Sequence, residues 1–220
     1  MIEAAERSRV RLMICHYQRF NSRHRQIREW LRLGAIGRIV SARINFSSYS
    51  PPRAGEWRRN KAVSGGGPLM DLGSHCLDLL MYFCGALTES EARVDSLVWE
   101  TEVEDTATLL LHFASGAHAT VTTHWSVRIP DEVGGNAVEL WGTEGAIVSS
   151  PLFSKDHSGS LMLYKEGGVE DHSRAAGNRV HEDLIEHFRE AIASGEPVLA
   201  PAEDALAGIE IIERSYGRLA

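Results

Sequence analysis

The spacing of apolar residues along the chain predicts a mixture of helices and strands. Apolar residues recur at helical spacing in several stretches, and in others they alternate with polar residues, as in a strand with one buried face. Helices are expected over residues 2–8, 22–33, 68–83, 181–194 and 201–219. Strands are expected over residues 10–16, 40–46, 93–101, 105–113, 117–126, 137–141 and 146–148, with a weaker signal over 161–164. Residues 49–67, which hold two prolines and several glycines, are expected to form a loop.

The strands between residues 93 and 165 follow one another too closely for parallel crossovers, which need a dozen or more residues. The pattern therefore predicts an α+β fold, with a mostly antiparallel or mixed open sheet and helices on one face. The other face needs a cover. Trp99, Leu109, Leu111 and Trp125 are the expected apolar residues of that face, and a second subunit is the expected cover, which makes a homodimer or higher homo-oligomer the predicted assembly.

Composition narrows the class of protein. At 220 residues, with 43% apolar and 24% charged side chains, the chain can bury one sizeable core. It has no apolar run of about 18 residues and no apolar-centred leader at its start, so neither a membrane partner nor export is expected. Three cysteines without a C-x-x-C pair favour a reducing cytoplasm.

The net charge of -7 is unevenly distributed, because residues 1–61 hold 14 Lys and Arg against 4 Glu. Such asymmetry can mark a nucleic-acid surface. Here the arginines alternate with positions of buried character instead of forming a tail, so ordinary surface charge is the preferred interpretation and no nucleic-acid partner is expected. A third interpretation is that some of these arginines face another domain or an anionic cofactor.

The densest group of chemically useful residues is the segment 65–78, GGGPLMDLGSHCLD. On a helix, Asp71, His75 and Asp78 would form one polar stripe beside an apolar one. An Asp one turn before a His can hydrogen-bond the ring and tune it as a general acid and base. The preceding glycines would let a ligand approach the start of the helix. An exposed Asp-His pair without function has the same spacing, so spacing alone does not decide.

Two other function classes stay open from the residues themselves. Asp71, His75 and Asp78 could bind a metal ion in a hydrolase or lyase, although no second cluster with metal-ligand spacing is evident and no metal site is expected. The chain could also be a non-catalytic binding or dimerisation module. A G-x-G-x-x-G turn between a strand and a helix is absent, so nothing in the sequence would cradle a pyrophosphate.

Several segments together resemble the glucose-fructose oxidoreductase, inositol dehydrogenase and rhizopine-catabolism (Gfo/Idh/MocA) oxidoreductase family. They are CHYQRF at 15–20, LGAIGRI at 33–39, EWR at 56–58, the segment 65–78, HEDLI at 181–185 and ASGEP at 193–197. The resemblance implies an N-terminal Rossmann domain that binds NAD or NADP and a C-terminal sheet domain that binds substrate and pairs subunits. Residues 1–18 would then be a helix-strand remnant of a truncated dinucleotide-binding domain, and residues 19–220 the substrate-binding and dimerisation domain.

The resemblance also implies residue roles in hydride transfer between a sugar, polyol or related hydroxy compound and a nicotinamide cofactor. Asp71 and His75 match the family's catalytic Asp and His. The residues expected near the substrate are Tyr17, Arg19, Trp57, Arg58 and, more weakly, His181. The family's Glu-Lys-Pro segment and its dinucleotide fold have no counterpart in this sequence. We therefore expect NAD or NADP in a full-length parent, no cofactor bound to this chain alone, and little activity from this chain alone.

Overall fold

The computed structural model of the chain describes residues 1–128, 136–154, 158–173 and 179–218. The described residues form six α-helices: α1 (Ile2–Ser8), α2 (Ser22–Arg32), α3 (Lys61–Ser64), α4 (Ser74–Cys84), α5 (Val180–Ser194) and α6 (Ala202–Ser215). They also form eight strands: β1 (Ile39–Ser47), β2 (Leu87–Asp95), β3 (Thr106–Phe113), β4 (His118–His124), β5 (Ala137–Gly142), β6 (Gly145–Ser150), β7 (Ser160–Lys165) and β8 (Gly168–Asp171).

All eight strands belong to one open sheet, in the order β2-β3-β4-β1-β5-β6-β7-β8. The central β1–β4 pair is parallel, and the other neighbouring pairs are antiparallel. Helix α4 packs across β1 and β4, and α2 lies against α4. The predicted α+β class, with a mixed sheet and helices on one face, is confirmed.

The face chosen for the uncovered side of the sheet was wrong. Leu109 and Leu111 are fully buried and Trp125 is 2% exposed, because they belong to the core between the sheet and the helices. Shifting a strand assignment by one residue moves every side chain to the opposite face. The exposed residues at the alternate positions of the strands include Arg43, Thr108, Leu110, Trp141, Tyr164 and Val169.

The strand predicted over 93–101 lies earlier, at β2. This edge strand has the sequence LTESEARVD, in which charged residues hide the alternation. The apolar residues that follow it form a loop instead. There the buried carboxylate of Asp105 accepts hydrogen bonds from the backbone N–H groups of Leu97, Val98 and Trp99. Trp99 therefore lies outside the sheet, where it packs against the core and faces the Arg59 guanidinium at 5.1 Å.

The strand predicted over 10–16 is also absent as a strand. Met13 forms one isolated antiparallel bridge with Pro201, and no further ladder residues flank it among those described. An apolar run supplies a buried face, but a strand also needs a neighbour to take its backbone hydrogen bonds. The predicted loop over 49–67 contains a 3-10 turn at Trp57–Arg59 and the short helix α3.

Several arginines of the basic segment 1–61 are buried and do not lie on the surface. Arg23 is fully buried, Arg19 is 3% exposed and Arg59 is 8% exposed. The Arg23 guanidinium donates to the Ser149 hydroxyl and the Pro151 carbonyl oxygen, without a carboxylate partner among the described contacts. Part of the positive charge therefore lies in the interior and not on the surface. In the described residues, no helix has the length and apolar content to cross a bilayer.

Candidate active site

His75 lies in the first turn of α4 and is half-buried against aromatic side chains. Its ring meets the edges of Tyr17 at a centroid distance of 5.5 Å and of Phe153 at 5.6 Å. Tyr17 in turn stacks on His181 at 4.8 Å with an interplanar angle of 23°. We call Tyr17, His75, Phe153 and His181 the aromatic cluster.

The aromatic cluster is assembled from four distant parts of the chain. Tyr17 opens the 3-10 turn that precedes α2, His181 is in the first turn of α5, and Phe153 follows β6. Phe46, at the end of β1, stacks beneath Phe153 at 4.3 Å. The structure thus brings together three residues proposed from the sequence, Tyr17, His75 and His181, while their roles remain predictions.

The surroundings of His75 favour its neutral form. Burial lowers the pKa of His75, the charge of His16 lowers it further, and the carboxylates of Asp71 and Asp78 oppose this effect. A neutral imidazole at neutral pH has a free nitrogen lone pair and can accept a proton. The expected hydrogen bond from the His75 ring to the Asp71 carboxylate is not among the described contacts, and Asp71 is exposed, so its effect on His75 is electrostatic through space.

Asp78 is 2% exposed and pairs with Arg19 behind the aromatic cluster. The Arg19 Nε and Nη2 atoms lie 2.9 and 2.6 Å from Asp78 Oδ1, and Nη2 is also 2.8 Å from Asp204 Oδ2. The Arg19 Nη1 atom donates to the Leu199 carbonyl oxygen at 2.7 Å. Arg19 therefore connects the 3-10 turn that begins at Tyr17 to α4 and α6. Its contact with substrate stays a prediction.

Asp78 belongs to the metal-ligand set considered for the sequence, and its Oδ1 atom accepts the hydrogen bonds of Arg19. In the described parts of the chain, no three His, Cys, Asp or Glu side chains converge as metal ligands. Burial raises the pKa of Asp78 to about 6, against the opposing pull of the Arg19 guanidinium.

Trp57 and Arg58 are not part of the aromatic cluster. Trp57 is 54% exposed, and the Arg58 guanidinium lies over its ring at 4.6 Å. Within the described contacts, no hydrogen bond or ring contact connects either residue to His75 or Tyr17. Their predicted contact with substrate stays a prediction, and it does not depend on the aromatic cluster.

The glycines before the helix have a different use from the one expected. A Cβ atom on Gly66 would overlap the Tyr216 side chain, and one on Gly67 would overlap the backbone oxygen of Glu104. In the structure the close approach is therefore made by the protein's own residues, which corrects the expectation of an approaching ligand.

His75 also borders a cavity of about 360 Å³ between α4, α6 and residues 14–16. Its polar residues include His16, Asp78 and Asp204, and its apolar residues include Met81 and Ile209. This volume lies within the range of small-molecule sites. A small molecule in the cavity could therefore reach the side of His75.

Sequence reasoning missed Phe153 and the environment of His16. Phe153 stands in a polar stretch, SSPLFS, where no periodic pattern marks it. His16 ends the apolar run 10–16 without metal-ligand spacing around it, yet it is 8% exposed and its Nε2 atom lies 3.7 Å from Asp78 Oδ1. Only the tertiary fold, which brings residues 16, 78 and 153 to one place, identifies them.

Known proteins resemble the chain over most of its length. Residues 24–148 match the model of the GFO/IDH/MocA C-terminal domain. Trans-1,2-dihydrobenzene-1,2-diol dehydrogenase from Mus musculus is 30% identical over 98% of this chain and 64% of its own length. The 1,5-anhydro-D-fructose reductase of Ensifer adhaerens is 25% identical over 94% of this chain and 61% of its own length. The chain thus spans less than two thirds of these relatives.

Solved structures of oxidoreductases also superpose on the chain over nearly its whole length. An aldose-aldose oxidoreductase from Caulobacter crescentus, complexed with glycerol, superposes with a TM-score of 0.86 and 25% identity, over 99% of this chain and 64% of that protein. Levoglucosan dehydrogenase in complex with NADH superposes with a TM-score of 0.77 over 96% of this chain and 65% of that protein. At 21% identity, this second likeness concerns the fold alone.

Proposed function

Because the chain belongs to the GFO/IDH/MocA family by its match to the C-terminal domain, we propose that it is the substrate-binding part of an NAD(P)-dependent oxidoreductase. The proposed reaction moves a hydride between a nicotinamide cofactor and a sugar, polyol or related hydroxy compound. The observation that carries the proposal is the half-buried His75 ring, whose pKa is lowered, at the junction of the aromatic cluster and the cavity.

In this proposal, His75 accepts the proton of the substrate hydroxyl group that is oxidised. A base that is neutral near the working pH can take this proton without first losing one of its own. Asp71 then stabilises the imidazolium electrostatically, since its carboxylate already raises the pKa of His75. In the reverse direction, the same ring returns the proton to the new alkoxide.

The aromatic cluster suggests a ring-shaped hydroxy compound as substrate. Tyr17 and Phe153 both lie next to His75, and their rings contact each other at 5.6 Å, so they offer adjoining apolar surfaces beside it. Such surfaces pack against the C–H face of a cyclic molecule, while a single histidine serves one hydroxyl group. Trans-1,2-dihydrobenzene-1,2-diol, in the name of the mouse relative, is a molecule of this kind.

The residues of this chain do not fit a dinucleotide. A strand-to-helix turn of the form G-x-G-x-x-G is absent from the sequence, so no residue here is assigned to the cofactor. We assign the nicotinamide, which supplies the hydride chemistry, to a separate dinucleotide-binding domain of a longer protein. Residues 1–18 would adjoin that domain, and the chain alone would then lack activity.

We further propose that the open face of the sheet joins two copies of the chain. Trp141, Tyr164 and Val169 share one row across β5 to β8 on this face, with exposures of 38%, 39% and 54%. A contiguous apolar row on a sheet face without helices is suited to pairing with its own copy about a twofold axis.

The proposed function is tested by replacing His75 in the longer protein that includes the dinucleotide-binding domain. Loss of a positioned general base costs about a hundredfold to ten-thousandfold in rate, so His75→Ala should lower kcat by that factor. Substrate affinity should change much less, because the proton moves only during the reaction. Steady-state kinetics on a panel of cyclic diols and sugars measures both quantities.

The matched control is His118→Ala, since His118 is an exposed histidine on the sheet. This variant should keep the kcat of the unaltered protein. An unchanged kcat in His75→Ala would contradict the assignment and favour a non-catalytic binding or dimerisation module.

A further inference from the structure

The helix that carries Asp71 and His75 begins without a cap of its own. A π-helical turn, Leu69–Gly73, leads directly into α4, and Pro68 at its N-cap position makes no side-chain cap hydrogen bond. The first N–H groups of a helix have no partner within the helix. Pro68 has no N–H, so the groups that need acceptors are those of Gly67, Leu69 and Met70.

Glu104, from the loop between β2 and β3, supplies two of these acceptors. Its carboxylate is almost fully buried, at 7% exposure. Oε2 accepts a hydrogen bond from the Gly67 N–H at 2.9 Å, and Oε1 accepts one from the Leu69 N–H at 3.0 Å. A negative charge at this place also complements the positive end of the helix dipole.

Tyr216, just after α6, completes the arrangement. Its hydroxyl donates to Glu104 Oε1 at 2.7 Å, and the backbone of Met70 hydrogen-bonds the phenol oxygen. Burial and the nearby carboxylate raise the pKa of Tyr216, so the hydroxyl stays a donor. The absence of side chains on Gly66 and Gly67 gives Tyr216 and Glu104 the space to approach.

Helix α6, which Tyr216 follows, also holds α4 through a second contact. Asp204, in the first turn of α6, pairs with Arg19, which pairs with the buried Asp78 one turn after His75. The segment with His75 is therefore fixed at its start through Tyr216 and behind the ring through Asp204. Because these two attachments lie on either side of His75 in the sequence, they determine both its position along the helix axis and its rotation about that axis.

We propose that Glu104 and Tyr216 act as a positioning clamp, which sets the His75 ring against Tyr17 and Phe153. The catalytic meaning of the clamp rests on the proposed function, but its effect on His75 does not. Neither residue touches the aromatic cluster in the described contacts, so both act through the helix.

The test uses NMR on the 220-residue chain, with Glu104→Gln and Tyr216→Phe. Each variant removes one acceptor or donor of the clamp. Amide exchange of Gly67 or Leu69 in Glu104→Gln, and of Met70 in Tyr216→Phe, should speed up by about fivefold or more, as expected for the loss of one ordinary net hydrogen bond. The titration midpoint of the His75 ring should rise toward its ordinary value, because burial is the main cause of its depression.

The control is Glu102→Gln, two residues before Glu104. Glu102 is exposed and accepts the Lys61 backbone N–H, and it has no described hydrogen bond to the helix start. It should leave both the His75 titration and the Gly67 and Leu69 exchange unchanged. If Glu104→Gln does not fold, Tyr216→Phe, which keeps the carboxylate, decides alone.

A merely structural role would lower the melting temperature of both variants without moving the His75 titration in the folded protein, and that result would overturn the proposal. The outcome is separate from that of the proposed function. If the His75 titration shifts in the clamp variants but His75→Ala turns over normally, the clamp is retained and the assignment of His75 as base is rejected. If the titration does not shift but His75→Ala loses turnover, the clamp is rejected and the base is retained.

Discussion

At the scale of single residues, the helical spacing correctly placed His75 and Asp78 at the border of the core. It did not reveal that Asp78 is occupied by Arg19, which lies 59 positions away in the chain. Periodicity describes which face a residue shares, whereas partners from other elements depend on the tertiary fold. For this reason the pairing of Arg19 with Asp78 and the place of Phe153 were not predicted.

The buried histidines predict how stability depends on pH. Burial, together with the Arg19 charge, lowers the pKa of His16 to about 4, and burial with the Arg23 charge lowers that of His24 to about 3. The unfolded chain therefore binds these protons at higher pH than the folded chain does. The free energy of unfolding should be greatest above about pH 6.5 and should fall by up to about 1.4 kcal/mol per pH unit for each histidine toward pH 4.

Urea unfolding between pH 7 and pH 4 measures this slope. His24→Gln keeps a donor for the Gln18 carbonyl oxygen that the His24 ring contacts, but it removes the titration, so the slope should become shallower. His118→Gln, at an exposed position, should leave the slope as it is. Asp78 works in the opposite direction, because its raised pKa makes the folded state bind a proton first. A slope that is unchanged in His24→Gln would contradict the prediction.

At the scale of elements, the helix predicted over 68–83 exists but has two parts. Pro68 and the apolar stripe indicate a helix start and a buried face, and both are present. The π-helical turn at Leu69–Gly73 was not predicted, and its hydrogen bonds to Glu104 come from a distant part of the chain. Local sequence indicates the helix but not these contacts at its start.

Two glycines in this region should respond in opposite ways to replacement by alanine. Gly67→Ala would overlap the Glu104 backbone oxygen and should destabilise the protein by about 1 to 3 kcal/mol. Gly208→Ala lies within α6, where its new Cβ would meet Met81 and Leu77 at 3.5 and 4.0 Å, which is ordinary contact. It should stabilise the protein by about 0.5 to 1 kcal/mol through better helix propensity.

Chemical denaturation of both variants provides the measurement. Equal effects, or a stable Gly67→Ala, would show that the helix start can move away from Glu104 and would weaken the structural reason for the glycines.

At the scale of the whole molecule, the sequence predicted the fold class and six of the strands near their observed positions. β2 was placed too late in the chain because charged residues mask its alternation, and β8 was not predicted because it is only four residues long. The buried face of β3 was predicted wrongly because Leu109, Leu110 and Leu111 are consecutive leucines, so an alternating pattern fits them in either register.

The corrected sheet face predicts which substitution separates the proposed dimer. Trp141→Glu places a charge within the exposed apolar row of β5 to β8, where burial against a second copy would be costly. Light scattering at tens of micromolar should report a dimer for the unaltered chain and a smaller mass for the variant. Ile185→Glu, at a 67% exposed position on α5, should remain dimeric. A monomeric unaltered chain would contradict the proposed dimer.

The place of β1 in the sheet also determines the order in which the molecule can form during synthesis. Its two neighbours, β4 and β5, lie later in the chain, and the first of them begins roughly seventy residues after β1 ends. At about 5 to 20 residues per second, the ribosome leaves β1 without a partner strand for several seconds. Helices α2 and α4 flank β1 in the sequence, and α4 packs on it. The ribosome has therefore finished α4, which packs on β1, before it makes the strands that complete the sheet around β1.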